Sequence, residues 1–539
     1  MTVREQINIL IGGALSSLAE GGFFEVGENG DIFKRNSVGV CKDRQFGDYT
    51  SNAAMQLARL AKKNPLEIAA KIKEELEKST KAKKIFLKIE VAAPGFINFF
   101  LAPAYLKTET AKILKLGAEY GKVNVGKGRK TNVEFVSANP SGQLHVGNGR
   151  SAFYGDVLAN VLMKAGYKAE KEYYINDAKV SKQIQTLGAT ALGRGEAYLS
   201  PYLKEKIAAL QPKLSKIHSE TDGGYFLAQE VLKDLKKFIA KSMGIKFDTW
   251  TSEESLYKER LVMEAYELLK KKGLVFEKEG AYWLNMAAYN QKDEVLMRSN
   301  GSPTYFLSDI AYHQQKIARG YKKIIDIWGA DHQGHVPRMK AVMDLLGYKG
   351  EFEVLICQIV TIKGGKISKR EGNIVSVNWL IDEVGVDAAR FFYLQNSLQS
   401  QMEFDVALAK KRSSDSPVFY VQYACARINS ILRKAKARKV IVASPGIFKL
   451  LEHDSELELA KELLRLPEIV AVAAGDYQIQ RLCLYAMNVA TSFHKFYRDC
   501  KVITENPELT RARLALIYAT KIALENTLGI LGISAPEKM

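Results

Sequence analysis

A strand, loop, helix and strand in succession constrain the fold of this chain more than any other feature. The apolar run VEFV ends at Val136, a Pro/Gly-rich loop (ANPSGQLHVGNG) follows it, and a helical stretch (RSAFYGDVLANVLMKAG) leads to a second strand, AEKEYYI. Strands joined through a helix pair in parallel, so this segment predicts an α/β domain with a parallel sheet. Ligands of such sheets bind at the carboxyl ends of the strands, which makes the loop 137–150 a candidate binding site.

The patterns along the chain predict three domains. Residues 1–110 combine amphipathic helices with two short strands, IFLKIEVA and FINFFLA, and predict a small α+β domain. Residues 111–408 contain the parallel-sheet domain, in which the charged, helical stretch at about 180–290 is interpreted as an insertion. Residues 409–539 have a helical pattern with few Gly or Pro, which indicates an all-α bundle.

The charge balance limits the kind of partner. With 78 Lys and Arg against 60 Asp and Glu, the chain has a formal net charge of +18. Such an excess fits a polyanionic partner, because cations that neutralise phosphates release counterions. A basic surface that serves solubility alone fits equally well, so the charge leaves both interpretations open.

Cysteine usage and the N-terminal segment indicate a soluble protein. The five cysteines form no C-x-x-C pair, which argues against a disulfide framework and against a zinc ribbon. The opening MTVREQINILIGG does not have the pattern of a signal peptide, and no apolar run approaches the roughly 18 residues that span a bilayer. We therefore expect a cytoplasmic protein that does not associate with membranes.

Two glycine-rich loops carry groups suited to phosphate chemistry. The loop 137–150 precedes a helix, whose N-terminal N–H groups face an anion, and its His145 can donate to a phosphate oxygen. The loop GGKISKREGN places Lys366 and Lys369 on either side of Ser368, where two ammonium groups can clamp the phosphates of ATP. Taken singly, the first string is typical of structural loops and the second of solvated basic turns.

Together and in this order, the two loops resemble the HIGH and KMSKS signatures of class I aminoacyl-tRNA synthetases, written here as HVGN (145–148) and KISKR (366–370). Asn148 replaces the second histidine; its amide still donates hydrogen bonds but has no charge. Over nearly its whole length the chain also resembles the arginyl-tRNA synthetase family. The strings that carry this likeness are FGDYTSNAAMQLA, VAAPGFINFFL, YYINDA, PTYFLSDIAYH, WGADHQGHVPR, GVDAARFFYL, SPVFYVQYACARI, FHKFYRDCKV and LGISAPEKM.

The resemblance implies a Rossmann-like catalytic domain (111–408), an N-terminal α+β domain that contacts tRNA (1–110) and a C-terminal all-α anticodon-binding domain (409–539). It implies a ligase that activates L-arginine with ATP and Mg²⁺ to arginyl-adenylate and transfers the arginyl group to the 3′-terminal adenosine of tRNA(Arg), at its 2′-hydroxyl. It also implies that activation requires bound tRNA. We expect a monomer without structural zinc.

The resemblance assigns residues to four tasks. Catalysis falls to His145, Asn148, Lys366 and Lys369. ATP binding falls to the same four residues and to Pro140, Gly142, Gly147, Gly329, Asp331, His335 and Ser368. Arginine binding falls to Glu134, Tyr305 and Asp309 at the guanidinium and to Ser137 and Asn139 at the α-amino group. Anticodon binding, by stacking and hydrogen bonds, falls to Phe419, Tyr420, Tyr423 and Arg427.

The residue types at the expected arginine site suit a guanidinium ligand. Such a ligand prefers planar acceptors, above all a carboxylate in a partly desolvated pocket. Tyr305 and Asp309 stand four residues apart and share one face if a helix begins there, and Glu134 lies on the first strand. Asp309 and Ser308 also suit the N-cap of that helix, and the sequence leaves this alternative open.

Two strings that suggest other chemistry do not support it. His332 and His335 have no thiol or third histidine nearby in the sequence, so no zinc site is predicted. Residues 121–127 match the start of a P-loop, but Gly128 stands where Ser or Thr is needed and a strand follows instead of a helix.

Two other functions compete with this hypothesis. A class I synthetase for cysteine would need a Cys/His zinc set, and one for glutamate would need a basic pocket instead of an acidic one. A tRNA-binding paralogue without catalysis would have no need of His145, Lys366 and Lys369.

Overall fold

The computed structural model of the protein describes residues 1–24, 37–41, 43–363, 375–438 and 445–539. The N-terminal part has a hydrophobic core of its own, formed by apolar side chains between Val3 and Leu106. Its elements are α1 (Val3–Glu20), β1 (Val38–Val40), β2 (Tyr49–Ser51), α2 (Ala53–Ala61), α3 (Pro65–Lys78), α4 (Thr80–Ile85), β3 (Phe86–Ala92) and β4 (Phe96–Leu101).

Local sequence explains how this part begins. The Thr2 hydroxyl accepts the Glu5 N–H at 3.1 Å and the Glu5 carboxylate accepts the Thr2 N–H at 2.7 Å, a capping box that starts α1. Among the described residues, four strands pair antiparallel in the order β1-β2-β4-β3, and α2 and α3 pack on them. This is the small α+β domain that the sequence predicts.

The middle of the chain alternates helices with strands. Its elements are α5 (Pro103–Leu116), β5 (Lys130–Glu134), α6 (Val146–Lys164), β6 (Lys168–Ile175), α7 (Lys182–Ala191), α8 (Pro201–Leu214), α9 (Glu220–Lys241), β7 (Thr249–Ser252), α10 (Glu253–Lys258), α11 (Leu261–Lys271), β8 (Val275–Lys278), β9 (Ala281–Leu284), β10 (Glu294–Met297), α12 (Tyr305–Ala318), β11 (Lys323–Gly329), α13 (Val336–Leu345), β12 (Glu351–Cys357), β13 (Val360–Ile362), α14 (Val377–Val384), α15 (Val386–Leu394), β14 (Met402–Phe404) and α16 (Val406–Lys410).

Within the described ranges, five of these strands form the parallel sheet, in the order β12-β11-β5-β6-β7. The chain builds outward from β5 first on one side (β6, β7) and then on the other (β11, β12). The strand order therefore reverses between β5 and β11, and the crevice at their carboxyl ends is where ligands of such sheets bind. β7 lies inside the stretch that the sequence interprets as an insertion, so part of that stretch belongs to the sheet itself.

The C-terminal part is helical. Its elements are α17 (Pro417–Ala437), a short 3₁₀ helix (Pro445–Leu450), α18 (Asp454–Leu463), α19 (Leu466–Asp476), α20 (Gln480–Asp499) and α21 (Pro507–Leu531). α21 is the one described helix that is long and apolar enough to cross a membrane, but 72% of its most apolar window is buried inside the protein. It is therefore the central helix of the bundle.

The bundle and the parallel-sheet domain share one continuous core. α6 is buried along most of its length and packs on β5, β6, α15, α19 and α21. Buried charges reinforce the join: Asp156 on α6 accepts from Lys171 at 2.6 Å and from Arg390 at 2.5 Å, and Arg390 also donates to the Leu531 carbonyl at 3.1 Å. α6 is thus anchored on all sides, and its N-terminus lies at the carboxyl edge of the sheet.

Candidate active site

A strained turn follows β5 at the carboxyl edge of the sheet. Val136 (φ 70°) and Ser137 (φ 40°) both adopt left-handed backbone conformations, which is unfavourable for a β-branched residue such as Val136. The turn is held by the Ser137 hydroxyl, which donates to Glu134 at 2.8 Å and accepts the Tyr174 N–H at 3.1 Å. Asn176 donates to the Ser137 carbonyl at 3.1 Å. Residues expected to bind a ligand, Glu134 and Ser137, therefore form one fixed unit.

The N-terminus of α6 is capped by an unusual pair. His145 is the N-cap, and its Nδ1 accepts the N–H groups of Gly147 at 3.1 Å and Asn148 at 3.3 Å. In return the Asn148 side-chain oxygen accepts the His145 N–H at 3.1 Å. Because Nδ1 is an acceptor, the neutral ring carries its proton on Nε2. Asn148, whose role the sequence left open, fixes the cap through its oxygen and retains its NH₂ group as a donor.

Partial burial favours the neutral form of this imidazole. Partial desolvation lowers the pKa of His145 below its ordinary value of 6.5, and the Asp331 carboxylate only partly opposes that effect. Asp331 belongs to a short 3₁₀ helix, Ala330–His335, that follows β11 and also contains His335. The predicted nucleotide residues after β11 and those at the start of α6 therefore face the same crevice.

The flanks of the second glycine-rich segment are described, and one of them contacts the first loop. Lys366, Ser368 and Lys369 lie outside the described residues, but both flanks of their segment are described. On one flank the Val375 carbonyl accepts the Val146 N–H at 3.0 Å, and the Val377 N–H donates to Leu144 at 2.8 Å. On the other flank β13 pairs with β14, and Lys363 binds Asp405 at 2.8 Å.

Glu134 has a different partner from the one expected. Its second carboxylate oxygen accepts from the ammonium group of Lys316 at 2.6 Å, and Lys316 also donates to Asp326 at 2.8 Å. His313 binds the other oxygen of Asp326 at 2.8 Å. Lys316 is fully buried, and its carboxylate neighbours raise its pKa. Glu134 therefore shares one ammonium group with Asp326, although desolvation still raises its pKa.

Two other carboxylates in the crevice are not balanced in this way. Glu253, the first residue of α10, is buried, and desolvation together with the negative charge of Asp309 raises its pKa to about 8. Desolvation and the charge of Glu134 raise the pKa of Asp309 to about 7. No ion pair joins either carboxylate to a described Lys or Arg. A cation that entered between them would relieve both.

Aromatic residues border this acidic pair. Tyr174 stacks on Tyr312 with ring centroids 4.3 Å apart, and each has a buried hydroxyl without a hydrogen-bond partner in the described structure. The charges of Glu253, Asp309 and Glu134 all raise the pKa of Tyr174, which places its hydroxyl among them. Tyr305 is 48% exposed at the outer end. The pocket therefore combines carboxylates with unsatisfied hydroxyls and an open rim.

The structure settles the alternative for Asp309. α12 begins at Tyr305 with Thr304 as its N-cap, so neither Asp309 nor Ser308 caps the helix. Ser308 instead shares a 2.6 Å hydrogen bond with Tyr257. Asp309 stands one helical turn after Tyr305, as the four-residue spacing predicts.

The remaining predicted nucleotide residues line the mouth of the crevice. Pro140 and Gly142 lie in the loop between β5 and α6, Gly147 lies in the first turn of α6, and Gly329 ends β11. Asn139, predicted to bind the α-amino group of arginine, lies in the same loop. No group of three His, Cys, Asp or Glu side chains in the described part of the chain could hold a metal ion.

The predicted anticodon residues form a ladder on the bundle, away from the sheet. Phe419 and Tyr423 stack at 6.3 Å on α17, and the Arg427 guanidinium lies 4.9 Å from the ring of Tyr423 and 5.0 Å from that of Tyr497 on α20. Tyr420 packs on His494 at 4.9 Å. Tyr423 and Tyr497 are each 37% exposed, so aromatic faces and a cation are presented together. The sequence did not identify Tyr497 and His494 as part of this surface.

The sequence also missed three polar residues of the crevice: Glu253, Lys316 and Asp177. Asp177 follows β6 in the string YYINDA and is buried. The available signal was positional, because Asp177 and Glu253 both come directly after strands of a parallel sheet. The sequence around Lys316 gave no such signal, since a lysine near the end of a helix is ordinarily solvated.

Comparison with known proteins gives concordant matches. Three family models match the chain: the arginyl tRNA synthetase N terminal domain (5–101), the class I (R) tRNA synthetase catalytic domain (217–411) and the DALR anticodon binding domain (421–539). Arginine–tRNA ligases of Listeria monocytogenes (serotype 4b, strain F2365) and Geobacillus kaustophilus are each 42% identical over 531 residues, 93% of this chain and 94% of theirs. The fold matches Thermus thermophilus arginyl-tRNA synthetase with a TM-score of 0.78 at 22% identity, covering both chains fully.

The capping geometry predicts the protonation of His145. Because Nδ1 accepts two backbone N–H groups and desolvation lowers the pKa, we expect a neutral ring with its proton on Nε2 at pH 7. Nitrogen-15 NMR of histidine-labelled protein, with His145→Asn to assign the signal, measures both the tautomer and the midpoint. A proton on Nδ1, or a midpoint above 6.5, would contradict the geometry.

Proposed function

The chain belongs to the arginyl-tRNA synthetase family and is a ligase that uses ATP to join arginine to tRNA(Arg), and we propose that both steps take place at the carboxyl edge of its parallel sheet. The observation that carries this assignment is the acidic pair formed by Glu253, which is buried, and Asp309, which is partly buried. Desolvation and neighbouring negative charges raise the pKa values of both carboxyl groups, so the site favours a cation. A guanidinium group supplies one that is planar and always charged. The Tyr174 and Tyr312 hydroxyls offer further acceptors for its N–H groups.

The position of the guanidinium group assigns the other residues to the rest of the arginine molecule. Glu253, Asp309 and Tyr305 surround the guanidinium. Glu134, which the resemblance assigned to the guanidinium, is better placed at the α-ammonium end with Ser137 and Asn139, because the strained turn joins it to Ser137. The arginine carboxylate then points toward the N-terminus of α6.

ATP meets that carboxylate at the start of α6. His145 donates from Nε2 and Asn148 from its amide to phosphate oxygens, assisted by the helix dipole and by Gly147. Pro140, Gly142, Gly329, Asp331 and His335 border the nucleoside. Lys366, Ser368 and Lys369, on the loop whose flanks reach Leu144–Val146, hold the departing phosphates. Mg²⁺ would be held largely by the phosphate oxygens of ATP, where it would neutralise part of their charge.

Two displacements complete the reaction. The arginine carboxylate attacks the α-phosphorus in line, pyrophosphate leaves, and arginyl-adenylate forms. The 2′-hydroxyl of the terminal adenosine of tRNA then attacks the arginyl carbonyl, loses its proton, and expels AMP. Both steps rely mainly on positioning and on stabilising charge at oxygen. The first step proceeds only with tRNA bound.

The tRNA extends from the sheet edge to the bundle. The surface of Phe419, Tyr420, Tyr423 and Arg427, extended by Tyr497, stacks on anticodon bases, and residues 1–110 contact the outer corner of the tRNA. The net charge of +18 serves this polyanion. The enzyme acts as a cytoplasmic monomer, with working units 1–110, 111–408 and 409–539.

The arginine site is tested by Asp309→Asn and Glu253→Gln. Each replacement removes one charged acceptor, which should cost about 2 kcal/mol of binding free energy. Arginine KM should therefore rise roughly 30-fold, with ATP KM nearly unchanged. Glu254→Gln is the matched control, because Glu254 accepts the Lys179 N–H and pairs with Lys258. Aminoacylation assays measure all three, and equal effects in Glu253→Gln and Glu254→Gln would overturn the assignment.

The same site predicts a pH dependence. A protonated carboxyl group cannot pair with guanidinium, so arginine affinity should increase as the pH rises through the pKa values of about 7 and about 8. In Asp309→Asn the midpoint should fall, because Glu253 loses the negative neighbour that raises its pKa. Arginine KM that does not change between pH 6 and pH 9 would contradict the assignment.

The anticodon surface is tested at Tyr423. Tyr423→Ala removes a stacking face and should raise the KM for tRNA about 10-fold without changing arginine KM, whereas Tyr423→Phe keeps the ring and should resemble the wild type. Equal behaviour of the two variants would show that Tyr423 does not stack on a base.

A further inference from the structure

Asp177 holds the two residues that flank Glu253. Its Oδ1 accepts the Ser252 hydroxyl at 2.7 Å and the Glu254 N–H at 3.1 Å. Ser252 is the N-cap of α10, and its hydroxyl oxygen also accepts the Ser255 N–H at 3.3 Å. Asp177 is 1% exposed, so this contact is made away from solvent. The backbone on both sides of Glu253 is therefore fixed by one carboxylate.

The other oxygen of Asp177 reaches the insertion. Gln229 on α9 donates to Oδ2 at 2.8 Å, and a few residues along, Lys179 pairs with Asp222 of α9 at 2.8 Å. α9 is itself firmly packed on α7: a Cβ on Gly188 would lie 1.6 Å from the Glu220 carbonyl oxygen, and one on Gly224 would lie 1.9 Å from that of Ile184. α9 thus provides a rigid support for Asp177.

The charge of Asp177 is unfavourable for its neighbour. Desolvation, Asp309 and Asp177 each raise the pKa of Glu253, and only the Ser308 hydroxyl and the Ala178 N–H act against them. Tyr174 and Tyr257, whose own pKa values are raised by desolvation and by Glu253, bring no positive charge. An acid at position 177 therefore makes ionisation of Glu253 harder. Its benefit lies in the three donors that it holds in place.

We infer that Asp177 is a positioning residue for arginine: it fixes Glu253 against the guanidinium and ties that contact to α9 of the insertion. The inference rests on the proposed role of Glu253. Asp177 does not touch the substrate. Its contribution is orientation, and a small displacement of an acceptor is enough to lose most of its contribution to binding.

Three variants separate orientation from charge. Asp177→Ala releases both flanks of Glu253 and should raise arginine KM about 10-fold or more, with ATP KM nearly unchanged. Asp177→Asn keeps acceptors for Ser252 and Glu254, and Gln229 can turn its amide, so arginine KM should stay close to that of the wild type. Asp234→Asn is the control: Asp234 also lies on α9, but it binds Tyr202 and Lys206 of α8 and neither of the residues that flank Glu253.

A pH profile gives a readout that general damage to the fold would not produce. Asp177→Asn removes a charge that raises the pKa of Glu253, so the rise of arginine affinity with pH should move to lower pH. Asp234→Asn should leave it in place. If Asp177→Ala does not fold, the pH profile of Asp177→Asn tests the inference. An unchanged midpoint in the pH dependence of its arginine affinity overturns the inference.

A double-mutant cycle completes the test. If Asp177 acts through Glu253, Asp177→Ala should have almost no further effect on arginine KM in a Glu253→Gln background. If Asp177→Ala has its full effect on arginine KM in that background, or raises arginine KM and ATP KM equally, the inference is overturned. If Glu253→Gln alone leaves arginine KM unchanged, the proposed guanidinium site is wrong. If it raises arginine KM and Asp177→Ala does not, only the role of Asp177 is wrong.

Discussion

A carboxylate removed from water is unstable unless a cation or several donors compensate it, and the carboxyl edge of this parallel sheet concentrates such groups. Lys316 pairs with both Glu134 and Asp326, and Arg319 binds Glu172. Glu253 and Asp309 form no ion pair with a described Lys or Arg residue, and desolvation with neighbouring negative charges raises their pKa values to about 8 and about 7. We propose that the substrate's guanidinium supplies the missing charge. In this account, selectivity for arginine follows from an electrostatic imbalance that the fold maintains.

The fold maintains it with elements that are distant in the sequence. β5 supplies Glu134, α12 supplies Asp309, and α10 supplies Glu253, which Asp177 holds from the end of β6. The buried helix α6 sets the position of His145 relative to all three. One edge of the sheet therefore presents carboxylates, and the adjacent helix N-terminus presents hydrogen-bond donors. We propose that the two halves of the adenylate meet there, where the strand order reverses.

Sequence reasoning reached this arrangement unevenly, and the reasons are physical. The βαβ pattern and the two glycine-rich loops are local, and the four-residue spacing of Tyr305 and Asp309 is confirmed on one face of α12. Glu253 was missed because β7 is only four residues long and joins the sheet by pairing with β6. Local sequence patterns do not encode that contact. Glu134 was recognised, but its partner Lys316 was not, because the burial of Lys316 depends on Asp326 of a strand added later in the chain.

We propose that Glu253 and Asp309 pair with a cation only when arginine binds, and proton release on arginine binding tests this most directly. Isothermal titration of arginine into the enzyme at pH 7, in buffers with different ionisation enthalpies, measures the protons exchanged. The raised pKa values predict a net release of protons, because the guanidinium forces both carboxyl groups to ionise. A binding heat that is the same in every buffer would contradict the claim.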